Sequence, residues 1–184
     1  MNRIQSFPPV AGPDPRVLIL GSMPGRASLD AAQYYAHPRN AFWPIMGQLL
    51  GFAPDEAYPK RLEALKSAGI ALWDVLLHCS RSGSLDASID TVSERANDIP
   101  GFLLAHPTVE RIYFNGSKAA ECFKRHVRPH LGALESGLSC QRLPSTSPAH
   151  AALSLDAKLR GWETILEPRS RAPDRSLRTF VDAP

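Results

Sequence analysis

Short runs of continuous apolar residues, each closed by a turn, alternate along this chain with stretches of helical spacing. Residues 17–20 (VLIL) form the first run, bounded by Pro15 and by a turn at Gly21. The next is 69–77 (GIALWDVLL), then 111–114 (RIYF), and last the weaker 138–143 (LSCQRL). Runs apolar on both faces suit strands of a parallel sheet covered on both sides. Helical candidates separate them: 44–50 stopped by Gly51, 58–67 stopped by Gly69, and 117–126. A final helix is expected over 154–166, with Leu155, Leu159, Trp162 and Leu166 on one face. The pattern predicts an α/β protein: a three-layer αβα sandwich around a central, mainly parallel four-stranded sheet. Such sheets bind ligands at the carboxyl ends of their strands. The segments there are GSMPG, the end of WDVLLHCSR, NGSK and PSTSPAH, and they should converge on one crevice.

Composition narrows the classes. A chain of 184 residues suits one domain with a continuous core. We expect an N-terminal extension over 1–15, a folded unit over 16–166 and a tail over 167–184. The tail holds four arginines without a periodic apolar face, which suggests a solvated segment with some affinity for phosphates. No apolar run approaches the ~20 residues of a membrane helix, and the proline-rich N-terminus lacks the apolar stretch of a secretory signal. A cytoplasmic protein with no membrane partner is expected. Cys79, Cys122 and Cys140 are scattered and odd in number, fitting neither a disulfide framework nor paired metal ligands, so no metal site is expected. The net charge of +3 is a mild basic bias, compatible with nucleic acid.

One segment stands out chemically. Residues 34–46, YYAHPRNAFWPIM, crowd rings and hydrogen-bonding groups together in a chain with only 8% aromatic residues. A core segment would be more apolar, and a surface loop would not want the rings. Upstream, GSMPG lacks the G-x-G-x-x-G and G-K-[ST] patterns, and Pro24 removes an N–H that a phosphate nest would use. By itself it reads as a tight turn. Asn40 is a natural helix cap, but Pro44 prefers the first helical position. That arrangement would make Trp43 the cap and leave Asn40 in the loop, free to face the crevice. NGSK stands at a helix start, where backbone N–H groups attract phosphate; Ser117 and Lys118 are the candidate contacts.

In order, GSMPG, YYAHPRNAFW, GIALWDVLL, YFNGSKAA and LPSTSPAHA resemble the uracil-DNA glycosylase superfamily. The first two blocks are similar to the mismatch-specific branch, which carries a G-x-x-P-G turn and an aromatic-A-H-P-x-N-x-F-W segment. The sequence most resembles the hypoxanthine-DNA glycosylase branch, over roughly residues 16–166. The resemblance implies a monofunctional glycosylase acting as a monomer on damaged DNA, single- or double-stranded. An extruded nucleotide enters the crevice and water cleaves its N-glycosidic bond, with hypoxanthine the expected base and uracil the second. No cofactor is implied.

Roles follow from the same resemblance. Tyr35 takes the position of the ring that stacks on the base. Gly21, Ser22 and Met23 line the base with backbone, Ser22 and Met23 offering N–H groups to a base oxygen. Gly25 replaces a tyrosine wall of the uracil-only branch and makes room for larger bases. The superfamily often places Asp, Asn or Glu where Met23 stands, and methionine cannot polarise water. In the hypoxanthine branch that task moves to the position of Asn40, whose amide oxygen can hold a water but is a poor base. His37 is a rival acid or base, though it precedes Pro38 in a rigid loop. Asp74 takes the base-reading position, with capping or pairing to Arg81 as the other options. Pro144, Ser145, Thr146, Ser147 and His150 would grip the DNA backbone, His150 standing where the family usually has asparagine. Two other readings remain open: a uracil- or mismatch-specific enzyme, and a nucleic-acid-binding module without catalysis, which Met23 would suit.

Overall fold

The computed structural model describes residues 2–83 and 85–167. Apart from Glu167, the expected C-terminal tail lies outside the described residues. The strands are β1 (Asn2–Gln5), β2 (Val17–Gly21), β3 (Ile70–Asp74), β4 (Leu76–Arg81), β5 (Arg95–Ala96), β6 (Arg111–Asn115) and β7 (Ser139–Leu143). The α-helices are α1 (Arg26–Ala31), α2 (Phe42–Leu50), α3 (Tyr58–Ser67), α4 (Ile99–Ala105), α5 (Ser117–His126) and α6 (Leu155–Trp162).

Strands β3-β2-β6-β7 form one sheet in that order, every neighbouring pair parallel. Side chains alternate across it with the period of two that a strand imposes. Leu18, Leu20, Ile112 and Phe114 face a cluster with Phe102 and Leu103 of α4 and Phe123 of α5. Val17, Ile19, Leu72 and Tyr113 face the other cluster, with Phe42, Trp43 and Met46 of α2, Leu65 of α3 and Trp162 of α6. Because each face is covered by helices, the strands read as unbroken apolar runs. The expected three-layer sandwich is the observed one.

The expected strand over 69–77 is two strands. At Val75 the chain leaves the parallel sheet: Val75 and Leu76 donate their N–H groups to Gly21 and Ser22 carbonyls (2.8 and 3.1 Å). With β2 ended at Gly21, β4 takes new partners and runs antiparallel to β1 and β5. Residues 2–5, assigned to the N-terminal extension, are thus paired, and Val10 bridges Leu72 of the main sheet.

Helix α2 starts at Phe42, before the expected Pro44, with Ala41 rather than Trp43 at the cap. Proline is still tolerated there, because the first turn of a helix has no intrahelical acceptors for its N–H groups. On the final helix Trp162 is fully buried, whereas Leu155 and Leu166, also expected inside, are exposed at the two ends. Residues 163–166 tighten into a 3₁₀ turn, which takes Leu166 out of the α-helical stripe.

Candidate active site

The four strand ends Gly21, Asp74, Asn115 and Leu143 open into one cavity of about 990 Å³. Its floor is set by β2 and β3, where Gly21 and Asp74 are register partners. Asp74 is buried, and its Oδ2 has no hydrogen-bond partner. Burial, then the nearby Asp86 carboxylate, pushes its pKa up to about 8, with Arg81 opposing. Arg81 does not form a contact pair with it. Its guanidinium instead donates to Pro24 O (2.6 Å) and Gly83 O (3.1 Å). That pairing was one reading of Asp74, and the arginine is taken up by backbone carbonyls instead.

The GSMPG turn is braced on several sides. Ser22 Oγ donates to Asp86 Oδ1 (2.8 Å), and the carbonyls of Gly21, Ser22 and Pro24 are held by Val75 N, Leu76 N and Arg81. The Met23 side chain is buried and belongs to the same core cluster as Leu18 and Phe114. A β-carbon on Gly25 would meet nothing within 4 Å, so the space expected there exists.

Over this floor lies the aromatic segment. Trp43 Nε1 donates to Tyr34 O (2.9 Å), and Tyr34 N donates to the Tyr58 hydroxyl (2.9 Å). Phe42 and Trp43 are buried, anchoring the loop as expected. The loop turns at Tyr35, whose φ of 54° is left-handed. For a bulky residue that conformation costs about 1–3 kcal/mol and persists only where its surroundings enforce it. Its ring stacks on Phe42 at 4.0 Å between centroids, and the residue lines the cavity. The hydroxyl is buried near Gly21, Asp74 and Asn115. Burial and then the Asp74 charge push its ionisation far up, so it stays a neutral phenol.

Asn40 lines the same cavity, and its Oδ1 accepts from Phe42 N (3.0 Å). The side chain therefore supports the helix start and faces the crevice at once. His37 also lines the cavity, with Nδ1 accepting from Arg39 N (3.1 Å), a local turn contact.

The opposite wall is residues 144–150. Pro144, Ser145, Thr146, Ser147 and His150 all border the cavity, as does Ser117. Thr146 is only 1% exposed, and its polar groups are spent inside the protein. Its N–H donates to Asn115 Oδ1 (2.9 Å), its hydroxyl accepts from Asn115 Nδ2 (2.8 Å), and its carbonyl accepts from Ala41 N (2.9 Å). The expected DNA contact is thus a clip joining three site segments. Helix α6 holds both ends of the wall: Trp162 Nε1 donates to Pro144 O (2.9 Å) and Lys158 Nζ to His150 O (2.8 Å). Gly116 has φ 91°, and a β-carbon there would lie 2.9 Å from Ser145 Cβ.

Lys118 is the one expected site residue that does not line the cavity. Its Nζ pairs with Glu94 Oε1 (2.5 Å), a buried carboxylate that also engages Arg125 and His126. A buried carboxylate needs such partners, and it draws the lysine away. Sequence reasoning missed Asp86, Asn115 and Arg142, which donates to Ser117 Oγ (2.8 Å). Asn115 was visible in the NGSK block; nothing in the sequence around Asp86 marked it. Among the described residues no group of His, Cys, Asp and Glu is arranged to hold a metal ion.

An αβα sandwich with this cavity at its strand ends fits the uracil DNA glycosylase superfamily. The profile of that superfamily matches residues 8–165, and the chain belongs to it. Within it, the chain is 37% identical over 162 residues to a hypoxanthine DNA glycosylase of Methanosarcina acetivorans, covering 88% of this chain and 96% of that protein. A hypoxanthine DNA glycosylase of Methanosarcina barkeri is 37% identical over 159 residues, covering 86% and 94%. The solution NMR structure of a candidate uracil DNA glycosylase from Methanosarcina acetivorans superposes with a TM-score of 0.74 at 36% identity, covering 90% of this chain and 97% of the other.

Proposed function

We propose that this protein is a monofunctional DNA glycosylase that hydrolyses the N-glycosidic bond of an extruded deaminated base, hypoxanthine first and uracil second. One observation carries the reading: the side chains of Tyr35 and Asn40 share a cavity with Ser22 and Met23 at the strand ends. Extrusion costs a few kcal/mol of stacking and pairing. In this reading the Tyr35 ring, which lines the cavity, replaces the stacking, at about 1–3 kcal/mol per base. A base larger than uracil is accommodated, in this reading, by the open space beside Gly25, where an added β-carbon would meet nothing within 4 Å.

Asn40 Oδ1 keeps a second lone pair after accepting from Phe42 N, enough to position a water against the sugar C1′. The C1′–N bond breaks with its electron pair going to the base, and the water oxygen bonds to C1′ as its proton leaves to solvent. Neither Asn40 nor an Asp74 that is mostly neutral at pH 7 is a strong base. The rate therefore rests on positioning and on stabilising the departing base and the cationic sugar, to which the DNA phosphates contribute. Ser117, Ser145, Ser147, His150 and Arg142 supply the rim that meets the DNA backbone. No lysine lines the cavity among the described residues, so no amine is placed for a lyase step.

The test is base release from single strands and duplexes containing hypoxanthine, uracil or only normal bases. Wild type releases hypoxanthine, and Asn40→Ala loses that activity. Unchanged release by Asn40→Ala removes Asn40 from the mechanism. Binding without release favours the module without catalysis, the reading that the buried, apolar Met23 supports.

A further inference from the structure

We infer that Asp86 turns Ser22 into a filter between a deaminated base and its parent: by accepting the hydrogen bond of the Ser22 hydroxyl, it leaves that oxygen able only to accept from a base. The role rests on the glycosylase reading above and makes Asp86 a positioning residue that acts through Ser22. Deamination replaces a ring nitrogen's lone pair beside an amino group by an N–H beside a carbonyl. Hypoxanthine and uracil carry that N–H, whereas adenine and cytosine carry the lone pair. A serine hydroxyl has one proton and two lone pairs, and it ordinarily rotates to suit either partner. Fixed as an acceptor, it pairs with the N–H and sets lone pair against lone pair in the parent base, which a hydrogen-bonding site rejects strongly.

Ser22 Oγ donates to Asp86 Oδ1 at 2.8 Å, and both residues line the cavity. Among the described residues nothing donates to Ser22 Oγ, so its lone pairs are left for a ligand. An ionised carboxylate has no proton to give and cannot reverse the bond. Asp86 is accessible, as a cavity wall is, yet enough protein surrounds its carboxyl that burial raises the pKa. The Ser22 bond, Arg81 and Lys118 act against that rise and favour the charged form. Both partners are held in place. The Ser22 carbonyl accepts from Leu76 N (3.1 Å), and Ser22 is buried. Asp86 opens a 3₁₀ turn that Ile89 N closes on the Asp86 carbonyl (3.1 Å), and the buried Ile89 bridges Arg81. Guanine and thymine also carry a ring N–H beside a carbonyl. The filter therefore separates hypoxanthine from adenine and uracil from cytosine, and leaves the other two bases to other contacts.

The experiment measures affinity for single strands carrying one hypoxanthine or one adenine on a 2′-fluoroarabino sugar, which resists cleavage. Wild type should prefer the hypoxanthine strand by about tenfold or more, the usual cost of a buried group left unpaired. Asp86→Ala and Ser22→Ala should each bring the two affinities close together. The double variant should do no more than Ser22→Ala alone, because Asp86 acts through the hydroxyl. Both single variants should melt near wild type, since each loses one hydrogen bond at the cavity wall. A wild type without the preference, a preference that survives either substitution, or losses that add in the double variant overturns the filter. An aspartate that only supported the fold would weaken binding of both strands alike and leave the preference intact. Release of hypoxanthine from the ordinary strand, followed in parallel, judges the glycosylase reading separately. Preference without release fails that reading and keeps the filter; release without preference does the reverse.

Discussion

A β-carbon placed on Gly21 would lie 2.3 Å from Asp74 Oδ1 and 3.0 Å from the Tyr35 hydroxyl. The carboxyl group at the end of β3 thus occupies space that any other residue at the end of β2 would fill. Gly21→Ala is expected to destabilise the fold by about 1–3 kcal/mol, the usual cost of overpacking, read from denaturant unfolding. In the background of Asp74→Ala the same substitution should cost measurably less, because the clash is gone. Equal costs in the two backgrounds would show that the contact is not the cause.

Stability should depend on pH through Asp74. Its folded pKa, about 8, lies above the ordinary carboxylate value. Between pH 4 and 8 the folded state holds a proton the unfolded chain has lost, so stability falls as pH rises through that window. Each pKa unit corresponds to about 1.36 kcal/mol. Asp86, Arg81, Tyr34 and Tyr35 are the ionisable neighbours, and burial also raises Asp86, so wild type carries both slopes. Asp74→Asn is expected to flatten the Asp74 part. Melting temperatures of the two proteins at pH 5 and pH 8 test it: the variant should gain on wild type as pH rises.

Asn40 supports both a helix start and the proposed water. Asn40→Ala should cost about 0.5–1.5 kcal/mol for the lost bond to Phe42 N. It should also slow base release by about 10²-fold or more, the cost of a misplaced reactant. Asn40→Ser keeps an oxygen near Phe42 N but cannot reach as far. It should recover the melting temperature without recovering the rate, which separates the two duties.

The Asn115 clip should matter for the wall it holds. Asn115→Ala leaves the buried Thr146 N–H without a partner, at a cost of about 1–3 kcal/mol. Weaker DNA binding should accompany the loss, since Thr146 also fastens Ala41. A variant with wild-type affinity and stability would remove the clip from the account.

Lys118→Met should lower stability, because Glu94 then loses its ion pair with the lysine and keeps only Arg125 and His126 beside it. Affinity for DNA should change little, as the lysine lies outside the cavity. A loss of affinity with no change in melting would restore the phosphate contact expected from sequence.

Periodicity alone determined the four parallel strands and helices α3 and α5, because burial on both faces leaves continuous apolar runs and one-sided burial leaves a helical stripe. It also placed GSMPG, NGSK and the serine-proline segment at the crevice, since sheet topology sends the strand ends there, whereas Tyr35 and Asn40 came from the family resemblance. What it could not determine were partnerships between segments distant in the chain. The run at 69–77 looks continuous, yet its second half is captured by β1, whose strand-forming residues carry no apolar pattern. Lys118 and Thr146 look like surface contacts beside a cleft, but Glu94 and Asn115 claim them from 24 and 31 residues away. Asp86 reaches Ser22 across 64 residues. Local pattern reports which face of an element is apolar; which polar group satisfies another is decided only when the tertiary fold brings both out of water.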